Sequence, residues 1–357
     1  MSIIASESIL SRWAALEELS TALARGHPCL QADGLWGSSR SLVVGALVKH
    51  TGRSVLLMAP GPAERHRLAE DVRFFLASLG AGDRLPVLEF PPAEPASWHG
   101  RHKEQAAERA RACHHLGGEG AVVVATPSAL AAPLLSPTAF RARAFSLEVA
   151  GTIDRETLVQ WLDLAGYERV DTVVEVGQWS LRGGIVDVFS PLRERPVRAE
   201  FFGDDVESLR LFDPTTQRSI EALDEITVLP LSVDDDPSVF LPAWLPQDAL
   251  VVLDDPALLD APPEDAPSAQ PLGEALAGFQ RLELPLLQRT DGGSTRIAMG
   301  TRSVGGYQGR FKELAAAIRE WRVEGFTVRL VVDDDQQGAR LQGILGEHDL
   351  EPWPGAT

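Results

Sequence analysis

Two cysteines in 357 residues, Cys29 and Cys113, are too few and too far apart for a disulfide framework or a zinc site. They read as reduced, buried thiols. Apolar runs are short: the longest, AVVVATPSALAAPLL, is broken by Pro127 and Pro133 before it could span a bilayer. The start of the chain lacks the basic segment and apolar core of a secretory signal, so the expectation is a cytoplasmic protein. Positive charge is scarce as well. Lys and Arg number 33 against 51 Asp and Glu, giving a net charge of −18 and a pI near 4.9, a poor balance for sequence-independent binding to nucleic acid. There is no G-x-S-x-G elbow. His99, His102, His114 and His115 cluster without the Cys or carboxylate spacing of a metal site. No metal, cofactor or hydrolytic centre is therefore expected.

What is present is an ordinary globular composition, 44% hydrophobic and 24% charged, in a chain long enough for two or three domains. Residues 8 to 26 carry Ile9, Leu10, Trp13, Leu16, Leu19 and Leu23 at helical spacing. CLQAD, SVLLMAP, LPVLEFPP and AVVVATP then alternate with the helical patterns SLVVGALVKH, AERHRLAEDVRFFLASLG and RHKEQAAERARACHHLG. That rhythm predicts a parallel sheet covered on both faces. After Pro133 the texture changes. DRETLVQWLDLAGY reads as one helix, followed by β-type segments punctuated by Gly177, Gly183-Gly184 and Gly203-Asp204. Further on come VVLDDP, a Pro- and acid-rich loop DAPPEDAPSAQP, the helix FKELAAAIREWRVEG and the strand FTVRLVVDDD. The expected fold is a P-loop-type α/β scaffold, degenerate and split, with an inserted α+β domain carrying an antiparallel sheet. Its parts are residues 1–143, 144–232 and 233–357.

The stretch GLWGSSRS nearly spells the phosphate loop G-x-x-x-x-G-K-[ST], in which backbone amides wrap phosphates, a Lys reaches them and a hydroxyl holds magnesium. Gly34, Gly37 and Ser41 suit it, and Ser38 is part of the same degenerate loop. Ser39 stands where the sixth-position glycine is needed, and Arg40 replaces the compact lysine with a planar fork. The plain reading is a Ser/Gly-rich turn capping a helix; an anion-binding loop without turnover lies between that and a working site. VVLDDP, with Asp254 and Asp255 after an apolar run, has the shape of a Walker B strand, but VVDDDQQ has it too. In the middle region Arg169, Arg182, Arg193, Arg195 and Arg198 stand close to Trp179, Phe189, Phe201 and Phe202, a mixture that interfaces favour and that core packing could equally explain. A second cationic cluster, Arg101, His102, Lys103, Arg109 and Arg111, is the one place a nucleic-acid contact could be seated.

The order RGGIVDVF, EFFGDDVESLR, FDPTTQRS closely resembles the module shared by the excision-repair protein UvrB and the transcription-repair coupling factor Mfd. GLWGSSRS stands where UvrB carries an intact phosphate loop. The stretch from Glu89 to Leu116 stands where UvrB has a tyrosine-rich DNA-clamping hairpin, yet the chain's two tyrosines, Tyr167 and Tyr307, are elsewhere. The resemblance favours the amino-terminal UvrB-like part of Mfd, and implies either a piece of a longer protein or a free-standing homologue. It implies a non-enzymatic module that recruits the repair ATPase UvrA through Arg169, Arg182 and Phe189, with RNA polymerase and DNA bound by regions absent here. A UvrB-like, ATP-dependent handler of damaged DNA is the alternative it leaves.

Overall fold

Runs such as VLLM, VVVA and the LVVL of LVVLD are apolar at every position because a central parallel strand is covered on both faces. In the computed structural model these runs are wholly buried strands. The structure describes residues 13–93, 102–233, 236–259, 272–286 and 294–350, except 329, 331 and 333.

The larger of two compact units, within residues 6–301, is built on a parallel seven-stranded sheet. In chain order its elements are α1 (Ala14–Ala24), β1 (Cys29–Asp33), α2 (Ser39–Thr51), β2 (Val55–Met58), α3 (Pro62–Ser78), β3 (Val87–Phe90), α4 (His102–Leu116) and β4 (Val122–Ala125). The chain then leaves this sheet. It returns as β13 (Leu250–Asp254), β14 (Gln280–Leu284) and β15 (Thr295–Ala298). The order is β15-β1-β14-β13-β2-β4-β3, so the late strands interleave with the early ones and flank β1 on both sides. Alternate residues feed opposite cores. Val55, Leu57, Val122, Val124 and Val252 pack in one cluster, and Leu56, Met58, Val123, Ala125 and Val251 in the other.

Between the two passes lies a second sheet with its own core. β6 (Glu168–Arg169), β7 (Gln178–Arg182), β8 (Ile185–Val188), β9 (Val197–Phe202), β10 (Asp205–Phe212) and β11 (Ser219–Leu223) form it in the order β11-β10-β9-β8-β7-β6. It is antiparallel except for the short parallel pairing of β6 with β7. One face carries Trp179, Val186, Val188, Val197, Ala199 and Phe201 against Leu158 and Leu162 of helix α5 (Arg155–Leu164), whose start is capped by the Asp154 carboxylate accepting the Glu156 amide. A small antiparallel pair, β5 (Phe145–Glu148) with β12 (Glu225–Val228), joins the two ends of this region.

The described residues after Arg302 belong to the smaller unit, in which α6 (Phe311–Val323) and α7 (Asp335–Gly346) meet over Ala315, Ile318, Leu345 and Leu350. The strand expected at FTVRLVVDDD is absent from its described residues: Phe326, Thr327, Val328, Leu330 and Val332 are in no strand, Asp334 caps α7 and Asp335 begins it. No other strand lies among the described residues of this unit, and an extended segment without a partner has no ladder to join. The Pro- and acid-rich loop, the first residues of the expected amino-terminal helix, His99 and Arg101 fall outside the described residues.

Candidate functional site

The phosphate-type loop leaves β1 at Asp33 and turns into α2, with Gly34 and Gly37 at φ 73° and 55°, the left-handed region that glycine tolerates. The turn is tied internally. The Ser39 hydroxyl and amide both donate to the Trp36 carbonyl, at 2.8 and 3.2 Å, and the Trp36 amide donates to the Thr301 hydroxyl at 3.1 Å. Thr301 in turn donates to the Gly34 carbonyl at 2.7 Å. Ser38 precedes the helix without a side-chain capping bond, and Ser41 is buried in the first turn.

Arg40 is 6% exposed, and its Nη1 donates to Oδ1 of Asp254, itself 2% exposed, at 2.5 Å. The two residues are 214 positions apart in sequence, and the interleaved strand order brings β13 near α2. Burial pushes the Asp254 carboxyl above the usual carboxylate range, against the pull of Arg40 and, farther off, Arg67. Asp255 follows at φ 54° and is also buried. The loop opens on a cleft of about 540 Å³ lined by Gly37, Arg40, Glu64, Arg67, Asp254 and Asp255, in which three carboxylates face two guanidiniums. Sequence reading missed Glu64 and Arg67, which lie early in α3 after β2, a place marked only by the preceding Pro60-Gly61. A magnesium nucleotide needs a free cation for its phosphates and a free carboxylate for its metal. Here the residues at the lysine and Walker B positions, Arg40 and Asp254, hold each other instead of standing free for that group.

The second candidate is the face of the six-stranded sheet turned away from α5. Strand register assigns it: Val186, Val188 and Ala199 point to the core, so Ile185, Asp187 and Arg198 point the other way, as does Arg182, which pairs with Ile185. Arg210 and Glu200 continue the same face on β10 and β9. Asp187 is 0% exposed and accepts from three guanidinium nitrogens: Nη2 of Arg182 at 2.6 Å, and Nε and Nη2 of Arg198 at 2.7 and 2.9 Å. Arg198 also lies 4.5 Å over the Phe212 ring, and its bonds to Asp187 raise its pKa. Half of the Arg182 side chain remains exposed, and Phe202, at the tip before the Gly203 turn, is 75% exposed.

The three residues singled out from the sequence do not share one surface. Phe189, two residues after Asp187, is 6% exposed and packs with Val173 and Phe212. Arg169 pairs in register with Trp179, on the core-facing side, where its guanidinium lies 5.2 Å from the indole at the sheet edge. Other conspicuous residues have local reasons. Gly183 turns β7 into β8 at φ 62°, and a Cβ on Gly184 would lie 2.7 Å from the Phe201 carbonyl oxygen. Asp213 of FDPTTQRS accepts the Thr215 and Thr216 amides at 2.9 and 2.8 Å, closing the turn between β10 and β11. In the cationic cluster of α4, Arg109 is buried, donating to the Pro91 carbonyl and stacking on Phe90, while Lys103 is paired with Glu168. Among the described residues no group of His, Cys and carboxylates is placed to hold a metal, and no helix is long and apolar enough to cross a membrane.

Residues 145–233 match the family described as the UvrB interaction domain. The chain is 35% identical over 206 residues to a transcription-repair-coupling factor of Myxococcus xanthus and 28% identical over 201 residues to that of Escherichia coli. These matches take in 56% and 55% of this chain and 17% of either relative. It is also 27% identical over 226 residues to the UvrABC system protein B of Corynebacterium diphtheriae, covering 61% of this chain and 33% of that protein. The chain thus spans well under half the length of the curated relatives it matches, and the likeness to the UvrB and coupling-factor module stands.

Proposed function

From a chain with a UvrB-interaction-type domain at residues 145–233 and coupling factors among its relatives, we propose a non-catalytic recruitment module that binds UvrA and links stalled transcription to nucleotide excision repair. The observation that carries this reading is the sheet face on which Arg182 and Arg198 hold the buried Asp187 carboxylate, Arg210 pairs with Glu200, and Phe202 is exposed at the tip of the strand. Oriented guanidiniums and an exposed aromatic are what a protein partner rich in carboxylates would bind. Arg182 is the primary contact. Phe189 lies on the same side of the sheet, packed against Val173 and Phe212, and Arg169 extends the site around the sheet edge. The docking domain is residues 144–232, inserted between 1–143 and 233–357, and the protein acts in the cytoplasm. RNA polymerase and DNA are assigned to no residue of this chain.

The reading takes the α/β scaffold to be without ATPase activity, supported by the mutual engagement of Arg40 and Asp254. The expected result is that Arg182→Ala weakens UvrA binding at least about tenfold, the effect of losing one well-placed interface arginine, with little change in melting temperature. Unchanged affinity by calorimetry would remove Arg182 from the interface. The alternative, a UvrB-like ATP-dependent protein, requires a fluorescent ATP analogue to bind with micromolar affinity and to lose that binding in Arg40→Ala.

A further inference from the structure

We infer that Asp187 is a positioning residue of the docking face: its buried carboxylate sets the direction in which Arg182 is presented. This rests on the recruitment reading above and adds a residue to it. Asp187 sits in the middle of IVDV, a strand whose neighbours Val186 and Val188 are core residues, yet it points to the open face and is itself fully buried. On that face it is bound by two guanidiniums. Arg198 takes both carboxylate oxygens in a fork and lies on Phe212, so it fills the site from the side and leaves 15% of its side chain exposed. Arg182 adds one bond from Nη2, and 47% of its side chain stays exposed. Asp187 lies beneath the surface, so a partner would meet the arginine and never the acid.

An unpaired arginine on a strand end samples several rotamers, and a partner must then fix one at an entropic cost. The carboxylate removes most of that search. It also sets the electrostatics: Arg198 answers most of the Asp187 charge through two short bonds, so the exposed edge of Arg182 keeps donors for a partner carboxylate. Asp187→Asn keeps the shape and one acceptor but removes the charge. Its expected effect on UvrA affinity is a loss of about five- to tenfold, with less than about a twofold further loss when Arg182 is already alanine, because residues acting through one contact are not additive.

The test is a double-mutant cycle on the full chain, using Asp187→Asn, Arg182→Ala and the pair, with UvrA affinity and melting temperature measured for each. A guanidinium NMR signal for Arg182 is followed in the absence of UvrA. The inference expects non-additive affinities and an Arg182 resonance that shifts and exchanges faster in Asp187→Asn. Additive losses, or an Arg182 resonance that does not change, would overturn the positioning role. If the resonance changes but Arg182→Ala leaves affinity intact, the orientation of Arg182 by Asp187 stands and the docking reading fails. A melting temperature that falls in Asp187→Asn with no coupling to Arg182 would make the acid purely structural and sink the inference.

Discussion

Arg40 and Asp254 carry opposite charges into the nearly buried wall of the cleft, so each is tolerable because of the other. Breaking a buried pair by removing one partner costs about 3–5 kcal/mol, because a charge is left buried, whereas replacing both with apolar residues is close to neutral. Arg40→Met should therefore destabilise the chain by about that amount at pH 8, and Arg40→Met with Asp254→Leu should recover most of it, as read from denaturant unfolding. The pH dependence has a definite sign. Burial already raises the Asp254 carboxyl in the folded state, and taking Arg40 away raises it further. A raised folded-state acid contributes stability below its unfolded value that is lost as pH rises through the folded one. The deficit of Arg40→Met should thus be largest near neutrality and shrink on acidification through the range above the normal aspartate value. A constant deficit would mean that Asp254 stays ionised without its partner. The chemical oddity of Ser39 and Arg40 was visible in the sequence. Where Arg40 goes was not, because nothing local to GLWGSSRS names a partner 214 residues away.

At the scale of elements, the β7–β8 turn shows why RGG is spelled that way without reference to any partner. Gly183 needs a positive φ, and Gly184 has a strand backbone against it at a distance no Cβ could occupy. Because the obstructing atom is the carbonyl of Phe201 and the Phe201 amide bonds the Gly184 carbonyl at 2.8 Å, a methyl group there must push β8 and β9 apart. Gly184→Ala is expected to cost about 1–3 kcal/mol, the range for overpacking, while Gly183→Ala costs about 1 kcal/mol for its backbone strain alone. Thermal melts of the two variants check the order, and an equal or reversed loss would refute the steric account. Element identity was legible here from glycine spacing and strand-type runs. Which face each side chain takes was not, since IVDVF reads as a strand without saying which side its Asp takes, and only the register with β7 and β9 reveals that Asp187 and Phe189 point away from the main core. Arg169 shows the same limit: it is near Arg182 in sequence, yet its pairing with Trp179 puts it on the other side of the sheet.

At the scale of the whole molecule, the alternation of strand and helix announces a parallel sheet but leaves the strand order open, and the order is what ties the chain together. Among the described residues β1 is bonded only to β14 and β15, both of which follow the inserted region, and β13 separates β14 from β2. The early segment therefore cannot complete its own sheet, and removing the late strands would strand β1 with no neighbour and expose one edge of β2. The smaller unit after Arg302 has a core of its own and supplies no strand to that sheet among the described residues. Two truncations separate these contributions. A chain ending at Thr301 should keep the cooperative melt of the parallel sheet, with a shift of no more than about 5 °C, a change on the order of 1–2 kcal/mol for a unit this size. A chain ending at Ala249 loses three of the seven strands and should retain only the melt of the antiparallel sheet, whose elements all lie before that point. Circular dichroism with parallel measurement of UvrA binding would read both. If the chain ending at Ala249 still binds UvrA while its α/β signal collapses, the docking surface belongs to the inserted sheet alone; if binding disappears although that sheet still melts cooperatively, residues of the α/β unit belong to the interface.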